Sequence, residues 1–301
     1  MNLDRTKVTE AFREYTAAYN AQDPKIRLKI LHTYRVASLC EQITRELPDG
    51  PVVWEKSNTQ ITRELPEKPP VSDNPEKPQS GNEPGAPIDP DLAWLSGMLH
   101  DIGRFEQVRI YHTFVDAESV DHAQFGADLL FQKDLLRHFV PAYEQTMTAS
   151  EREILELAIR NHGVYRIQEG LTAREAAYCN ILRDADKIDI FRVNWDTPLE
   201  EIYNTTTRAL KEARVTQEVR QCFLDHTAVP RYLKKTPIDH LVGHLCLIFE
   251  LVYPVSRRIA REQGYVDKLL TFQSDLPETQ EWFAYMKEHL WKEMQAGGQT
   301  G

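Results

Sequence analysis

The chain has 301 residues, 41% of them hydrophobic and 27% charged, which is the balance of a globular protein with enough apolar material for a sizeable core. Its formal net charge of -10 disfavours extended binding to a nucleic-acid backbone, although a local cationic site for one nucleotide stays compatible with it. Four dispersed cysteines, Cys40, Cys179, Cys222 and Cys246, form no CxxC pair and read as reduced thiols of a cytoplasmic protein. The first residues contain no apolar run of the kind a secretory signal needs.

In chain order, residues 4–20 have a weak amphipathic pattern. Pro24 then opens a stronger helix over 25–47, with Ile26, Ile30, Leu31, Val36, Leu39 and Ile43 on its apolar face and His32 on or beside it. Residues 48–90 differ in kind. They are rich in Pro, Glu, Asn and Ser, and repeat QITRELP (42–48 and 60–66) and PEKP (66–69 and 75–78). So little apolar surface cannot offset the entropy of ordering, and a mobile surface insertion carrying a lone Trp54 is expected. The stretch 91–107, DLAWLSGMLHDIGRFEQ, has apolar residues at helical spacing and is predicted as one core helix carrying His100 and Asp101 side by side. An adjacent imidazole and carboxylate are costly to bury without a partner and are natural metal ligands.

An irregular segment over 108–121 follows, then helices over 122–136, 151–162 and 172–193. Gly163 is placed as the stop of the second of these, and Thr172 with Glu175 as a capping box for the third. One or two helices are expected in 198–226, one long apolar helix over 237–263, and a last amphipathic helix over 278–295. The most apolar part of the 237–263 run, 241–255, is short, contains His244 and Glu250, and reads as a buried helix rather than a membrane span. With no strand alternation, the class is all-α: one domain over 1–296 with its motifs in 25–195, a C-terminal helical shell over 196–296, and a flexible tail over 297–301.

The groups able to bind metal are His32, His100, Asp101, His122, His162 and Asp186, each at an element end or near an inward helix face. In this order, H…HD…H…H…D, and in these contexts, the chain resembles the HD-domain superfamily of metal-dependent phosphohydrolases. His32 in LHTYRVASLC is similar to the first histidine of that family, His100-Asp101 in GMLHDIGRF to its eponymous doublet, and Asp186 with Lys187 in LRDADKIDIF to its last motif. His122 and His162 match the extra histidines of the dinuclear branch.

The resemblance implies an HD-domain-like helical bundle. It also implies two divalent transition ions (Mn, Fe, Ni, Co or Zn) with Asp101 bridging, His32, His100 and Asp186 at one ion, and His122 and His162 at the other. Such a pair generates hydroxide near neutral pH for in-line attack on phosphorus. The expected substrate is a phosphate ester or anhydride of a nucleotide or small metabolite, with neither membrane nor extended nucleic acid as partner; an oligomer is compatible.

Asp101, Arg104 and Lys187 are the expected catalytic residues, with Arg104, Arg183 and Lys187 the first candidates to serve the phosphate and Arg160 and Arg192 the next. For Arg183 and Arg192, pairing with neighbouring acids on a solvated face is the competing reading. Asp184 reads as a group behind the ligands or on the surface. Asp116 and Ser119 are candidates to orient a ligand histidine, and Asp121 to cap a helix. The same ligands serve mixed-valent di-iron oxygenases of the superfamily, and a non-catalytic nucleotide-binding regulator is a third reading. His240 and His244 read as structural, Cys222 and His226 lack support as a catalytic pair, and His112, His138 and His289 read as surface groups.

Overall fold

A computed structural model describes residues 1–20, 22–47 and 87–296, the last four of these without side chains. The rest of the predicted insertion, including the second QITRELP copy, both PEKP copies and Trp54, lies outside the described residues, as do residues 297–301. Among the described residues there is no strand, so the fold is all-α as expected.

Four helices supply the first half: α1 Arg5–Ala17, α2 Pro24–Glu46, α3 Pro90–Leu99 and α4 Ile102–Tyr111. Next come α5 His122–Ala127, α6 Leu136–Phe139, α7 Tyr143–Thr146, α8 Ala149–Asn161 and α9 Ala173–Asp196. The remainder is α10 Leu199–Tyr203, α11 Thr207–Lys211, α12 Gln217–Leu224, α13 Pro237–Leu245, α14 Pro254–Gln263, α15 Tyr265–Leu269 and α16 Pro277–Ala296. Their starts are chemically marked. Asp23 and Asp89 accept backbone amides at the heads of α2 and α3, each followed by a proline whose missing N–H costs nothing there. Thr148–Glu151 and Thr172–Glu175 form reciprocal capping boxes on α8 and α9.

Helix α9 is the axis. It packs against α2, α3 and α8 on one side and against α13, α14 and α15 on the other. Enclosure on both sides explains its weak amphipathic pattern: Ile181, Leu182, Ala185, Ile188 and Phe191 are buried, and so are Arg183, Asp184, Lys187, Asp189 and Arg192. Helices α2 and α3 lie unusually close. A Cβ on Gly97 would come within 2.5 Å of the Ala37 Cα, so glycine sets the approach that brings His32 and His100 together.

Four predicted stretches are corrected. The stretch 91–107 is two helices, α3 and α4, parted at the His100-Asp101 doublet, where Asp101 has φ -102° and ψ 15°. The bend turns the Asp101 carboxylate away from capping its own helix, α4. The stretch 122–136 is α5 followed by a π-helical turn over Asp128–Gln132. The stretch 198–226 holds three helices, α10, α11 and α12, rather than one or two. The run 237–263 is α13, a 3-10 turn over Cys246–Glu250, and then α14, which Pro254 starts afresh. No described helix is long and apolar enough to cross a membrane.

Candidate metal centre

The six predicted ligands come from five elements and meet at one place. His32 is on α2, His100 and Asp101 at the α3–α4 bend, His122 at the first position of α5, His162 at the end of α8, and Asp186 mid-way along α9. His32, His100, Asp101, His122 and His162 are buried, none more than 6% exposed. His32 Nε2 lies 3.0 Å from Asp186 Oδ1 and 3.4 Å from His100 Nε2. On the other side, His122 Nε2 and His162 Nε2 are 3.0 Å apart.

Asp101 stands between the two groups. Its Oδ2 is 3.4 Å from His100 Nε2 and 3.7 Å from His32 Nε2, while its Oδ1 is 3.7 Å from His122 Nε2 and 3.8 Å from His162 Nε2.

The hydrogen bonds of the far ring nitrogens fix what this convergence means. His32 Nδ1 is 2.7 Å from Asp189 Oδ2, His100 Nδ1 2.8 Å from the Gly97 carbonyl, His122 Nδ1 2.8 Å from Asp116 Oδ2, and His162 Nδ1 2.7 Å from the Ile159 carbonyl. Each of these partners only accepts, so each Nδ1 carries the proton and donates it. The rings of His100, His122 and His162, when neutral, then direct an Nε2 lone pair inward, whereas His32 Nε2 faces the Asp186 carboxylate 3.0 Å away and holds a second proton there when no cation is present. A purely structural network would need donors between these nitrogens; facing lone pairs suit a cation.

The protonation balance agrees at His122 and His162 and differs at His32. Burial, then the charges of the neighbouring histidines, drives His162 down to about 3, and burial also lowers His122. At His32, burial and Lys29 push the pKa down, but Asp186 and Asp189 outweigh them and leave it raised. Burial opposes ionisation of Asp101, yet Lys29 and His100 hold it well below the usual carboxylate range; His32 does the same for Asp186.

The donor set therefore fits divalent ions. His32, His100 and Asp186 offer donor atoms within 4.8 Å of one another, and so do His100, Asp101 and His162. A third group, Asp116, Asp121 and His122, meets the same distance criterion but fits poorly. Asp121 Oδ1 accepts the Ala123 and Gln124 amides as the cap of α5, and Asp116 is bonded to His122 Nδ1.

Behind the ligands, Arg104 Nη1 donates to Asp116 Oδ1 (2.6 Å), Gln107 Oε1 (2.8 Å) and the Phe114 carbonyl (2.7 Å). Buried Gln107 donates to Asp116, Ser119 and the Val120 carbonyl, tying down the segment before His122. Asp116 is thus the residue of its loop that orients a histidine. Asp116→Ala is expected to weaken metal binding by about 10–100-fold, read by calorimetric titration, with little change in helix content.

Arg183 does not pair with acids on a solvated face. It is buried and donates to the Asn161, His162, Val164 and Tyr165 carbonyls, clamping the chain after α8. Arg192 does pair with acids, Asp189 and Asp196, but from a buried position that holds the partner of His32. Arg160 binds Gln124, Asp128 and Glu156 instead. Asp184 is fully buried and accepts the Val252 and Tyr253 amides, so the surface reading of it is excluded. Gly163 does not end α8 in a left-handed conformation; it leaves room for His122, whose Cε1 lies 3.3 Å from where a Cβ would be.

Lys187 is buried with no hydrogen-bond or ion-pair partner among the described residues, and burial followed by the Arg183 charge lowers its pKa to about 8. Away from the centre, His244 Nδ1 meets the Tyr203 hydroxyl and Asn194 Oδ1, and Tyr203 stacks on His240, a structural arrangement. His138 is exposed, with Nε2 on the Ala11 carbonyl.

The sequence reading missed two residues. Asp189, which fixes the His32 tautomer, sits one turn beyond Asp186, a spacing that could have drawn attention to it. Lys29 Nζ lies 2.6 Å from Asp101 Oδ2, and its only signal is its place one turn before His32.

The model of the HD-domain family matches residues 30–190, a span that runs from just before His32 to just past Asp189. The chain belongs to the HD-domain family. This is a superfamily of metal-dependent phosphohydrolases, and its members bind divalent metals through His and Asp clusters of the kind assembled here. Comparison with curated proteins and with solved structures gives no significant match. All six candidate ligands of the HD domain fall within the matched span.

Proposed function

We propose that this HD domain is a dinuclear phosphohydrolase acting on a phosphate ester or anhydride of a nucleotide or small phosphorylated metabolite. The observation that carries the reading is the division of Asp101: each of its oxygens faces a different pair of histidine Nε2 atoms. One carboxylate so flanked is suited to bridge two ions, with His32, His100 and Asp186 serving one and His122 and His162 the other. Bound Mn, Fe, Ni, Co or Zn would supply hydroxide at neutral pH and positive charge for phosphoryl oxygens.

The chain's own groups supply the rest. Asp189 and Asp116 keep His32 and His122 in the ligating tautomer. Arg104 Nε is buried, has no acceptor within hydrogen-bond distance among the described residues, and lies 3.8 Å from Asp101 Oδ1, so it is available to a substrate oxygen. Lys187, next to Asp186 in sequence and without a hydrogen-bond partner among the described residues, is a second cation for the same anion. No nucleophilic side chain is required.

The C-terminal helices are read as the shell of the same domain, because α13, α14 and α15 pack on α9. A cytoplasmic location suits the reduced cysteines.

The test is a hydrolysis screen over nucleotides, dinucleotides and sugar phosphates with Mn, Fe, Ni, Co and Zn. The expected result is phosphate release that depends on added metal and is lost in His100→Ala. Metal-independent release, or undiminished activity in that variant, would remove the reading.

A further inference from the structure

Around Asp101 the structure assembles two cations on one aromatic ring. The Lys29 ammonium, on a side chain only 17% exposed, lies 2.6 Å from Asp101 Oδ2. Arg104 approaches Oδ1 of the same carboxylate. Both sit 5.8 Å from the centroid of Phe114. The two are not equivalent. Arg104 is fixed by three acceptors behind the ligands, so its guanidinium is a rigid part of the wall. Among the described residues Lys29 has one ionic partner, Asp101, and its flexible stem rises from α2 one turn before His32. It is the cation that bonds a candidate metal ligand directly, at 2.6 Å against 3.8 Å for Arg104.

An ammonium and a divalent ion compete for the negative charge of one carboxylate oxygen. A third charge resolves the conflict: an anion that accepts hydrogen bonds from the ammonium while facing the ions. A phosphoryl group, with several acceptor oxygens and charge to neutralise, has that chemistry, and a lysine is a suitable point charge for it.

We propose that Lys29 is a catalytic residue of this centre, binding a non-bridging oxygen of the substrate's phosphoryl group from the His32–His100 side while Arg104 holds the opposite side. The assignment rests on the phosphohydrolase reading for its substrate class. Its consequences for metal and phosphate binding do not require turnover. Lys29 lowers the affinity of the empty centre for divalent ions and raises the affinity of the metal-loaded centre for phosphate.

The experiment compares the full-length protein with Lys29→Gln and Lys29→Arg. Manganese and then inorganic phosphate are titrated by calorimetry, and hydrolysis is measured on any substrate the screen gives. In Lys29→Gln, manganese is expected to bind several-fold more tightly and phosphate roughly tenfold more weakly, a change of about 1.4 kcal/mol. Lys29→Arg is expected to restore part of the phosphate affinity.

Unchanged phosphate affinity in Lys29→Gln overturns the proposal even when the wild type hydrolyses phosphate esters. Weaker manganese binding in a folded Lys29→Gln overturns it too, because the lysine would then be supporting the ligands. If the wild type hydrolyses nothing yet binds phosphate through Lys29, the phosphohydrolase reading fails and the anion site stands.

Discussion

Asp101→Asn is expected to remove both metal ions, whereas Asp186→Asn removes one. The contrast follows from geometry. Asp101 presents Oδ2 to His32 and His100 and Oδ1 to His122 and His162, while Asp186 Oδ1 approaches only His32 and His100. An amide keeps the shape of the carboxylate but not its charge, and one of its two ends becomes a donor that cannot ligate.

Loss of metal affinity in Asp101→Asn should exceed the roughly 100-fold at the upper end for a residue that merely orients a ligand, and metal-dependent hydrolysis should vanish with it. Metal content after dialysis, measured by elemental analysis, separates the cases. One tightly held ion in Asp101→Asn would mean that the carboxylate does not bridge. Both variants leave the Lys29 ammonium without its ionic partner, which for a buried charge can cost about 3–5 kcal/mol, but Asp101→Ala is the poorer probe because it also removes the acceptor oxygen that an asparagine keeps. Partial exposure of Lys29 reduces that figure here.

The second large effect is expected from a residue that touches no ligand donor atom. Gly103 and Gly126 face each other where α4 crosses α5. A Cβ on Gly103 would stand 2.2 Å from the His122 carbonyl oxygen and 2.7 Å from the Gly126 nitrogen. Both are backbone atoms, so a side-chain rotation cannot relieve the clash, and α5 must move away from α4. Overpacking of this kind costs typically about 1–3 kcal/mol. Because α5 begins at His122, its displacement also carries that imidazole away from Asp101.

Gly103→Ala is therefore expected to lower the melting temperature by several degrees and to weaken the His122–His162 side of the centre selectively. Thermal denaturation with metal titration checks both. Gly170→Ala is the control. Gly170 has φ 77° with open space around it, so alanine there strains the backbone without touching the centre. Equal metal affinities in the two variants would show that the α4–α5 crossing does not position His122.

What could be read from the sequence was the helical class and a set of candidate ligands that the fold brings together, because ligand residue types and helix periodicity are local properties. The doublet His100-Asp101, in an apolar helix that could not hold it without a partner, led to the rest of the set. Three kinds of feature were not legible.

The break at His100-Asp101 has no proline, and its cause is tertiary: the carboxylate is drawn into the centre instead of capping its own helix. Charges on α9 read as a solvated face, yet that helix is enclosed by its neighbours, and its buried Arg183, Asp184, Asp189 and Arg192 each find partners from the fold or one turn along the helix. Lys29 was invisible for a simpler reason: a lysine on an amphipathic helix reads as solvent-facing unless one knows what the next helix carries. By contrast, the restart at Pro254 was written in the chain and was overridden by the length of the apolar run.

The central claim, that one carboxylate joins two ions, is tested most directly by an anomalous-difference map of crystals soaked in manganese. The account predicts two peaks, one bounded by Asp101 Oδ2, His32, His100 and Asp186, the other by Asp101 Oδ1, His122 and His162. A single peak, or a peak among Asp116, Asp121 and His122, would contradict it.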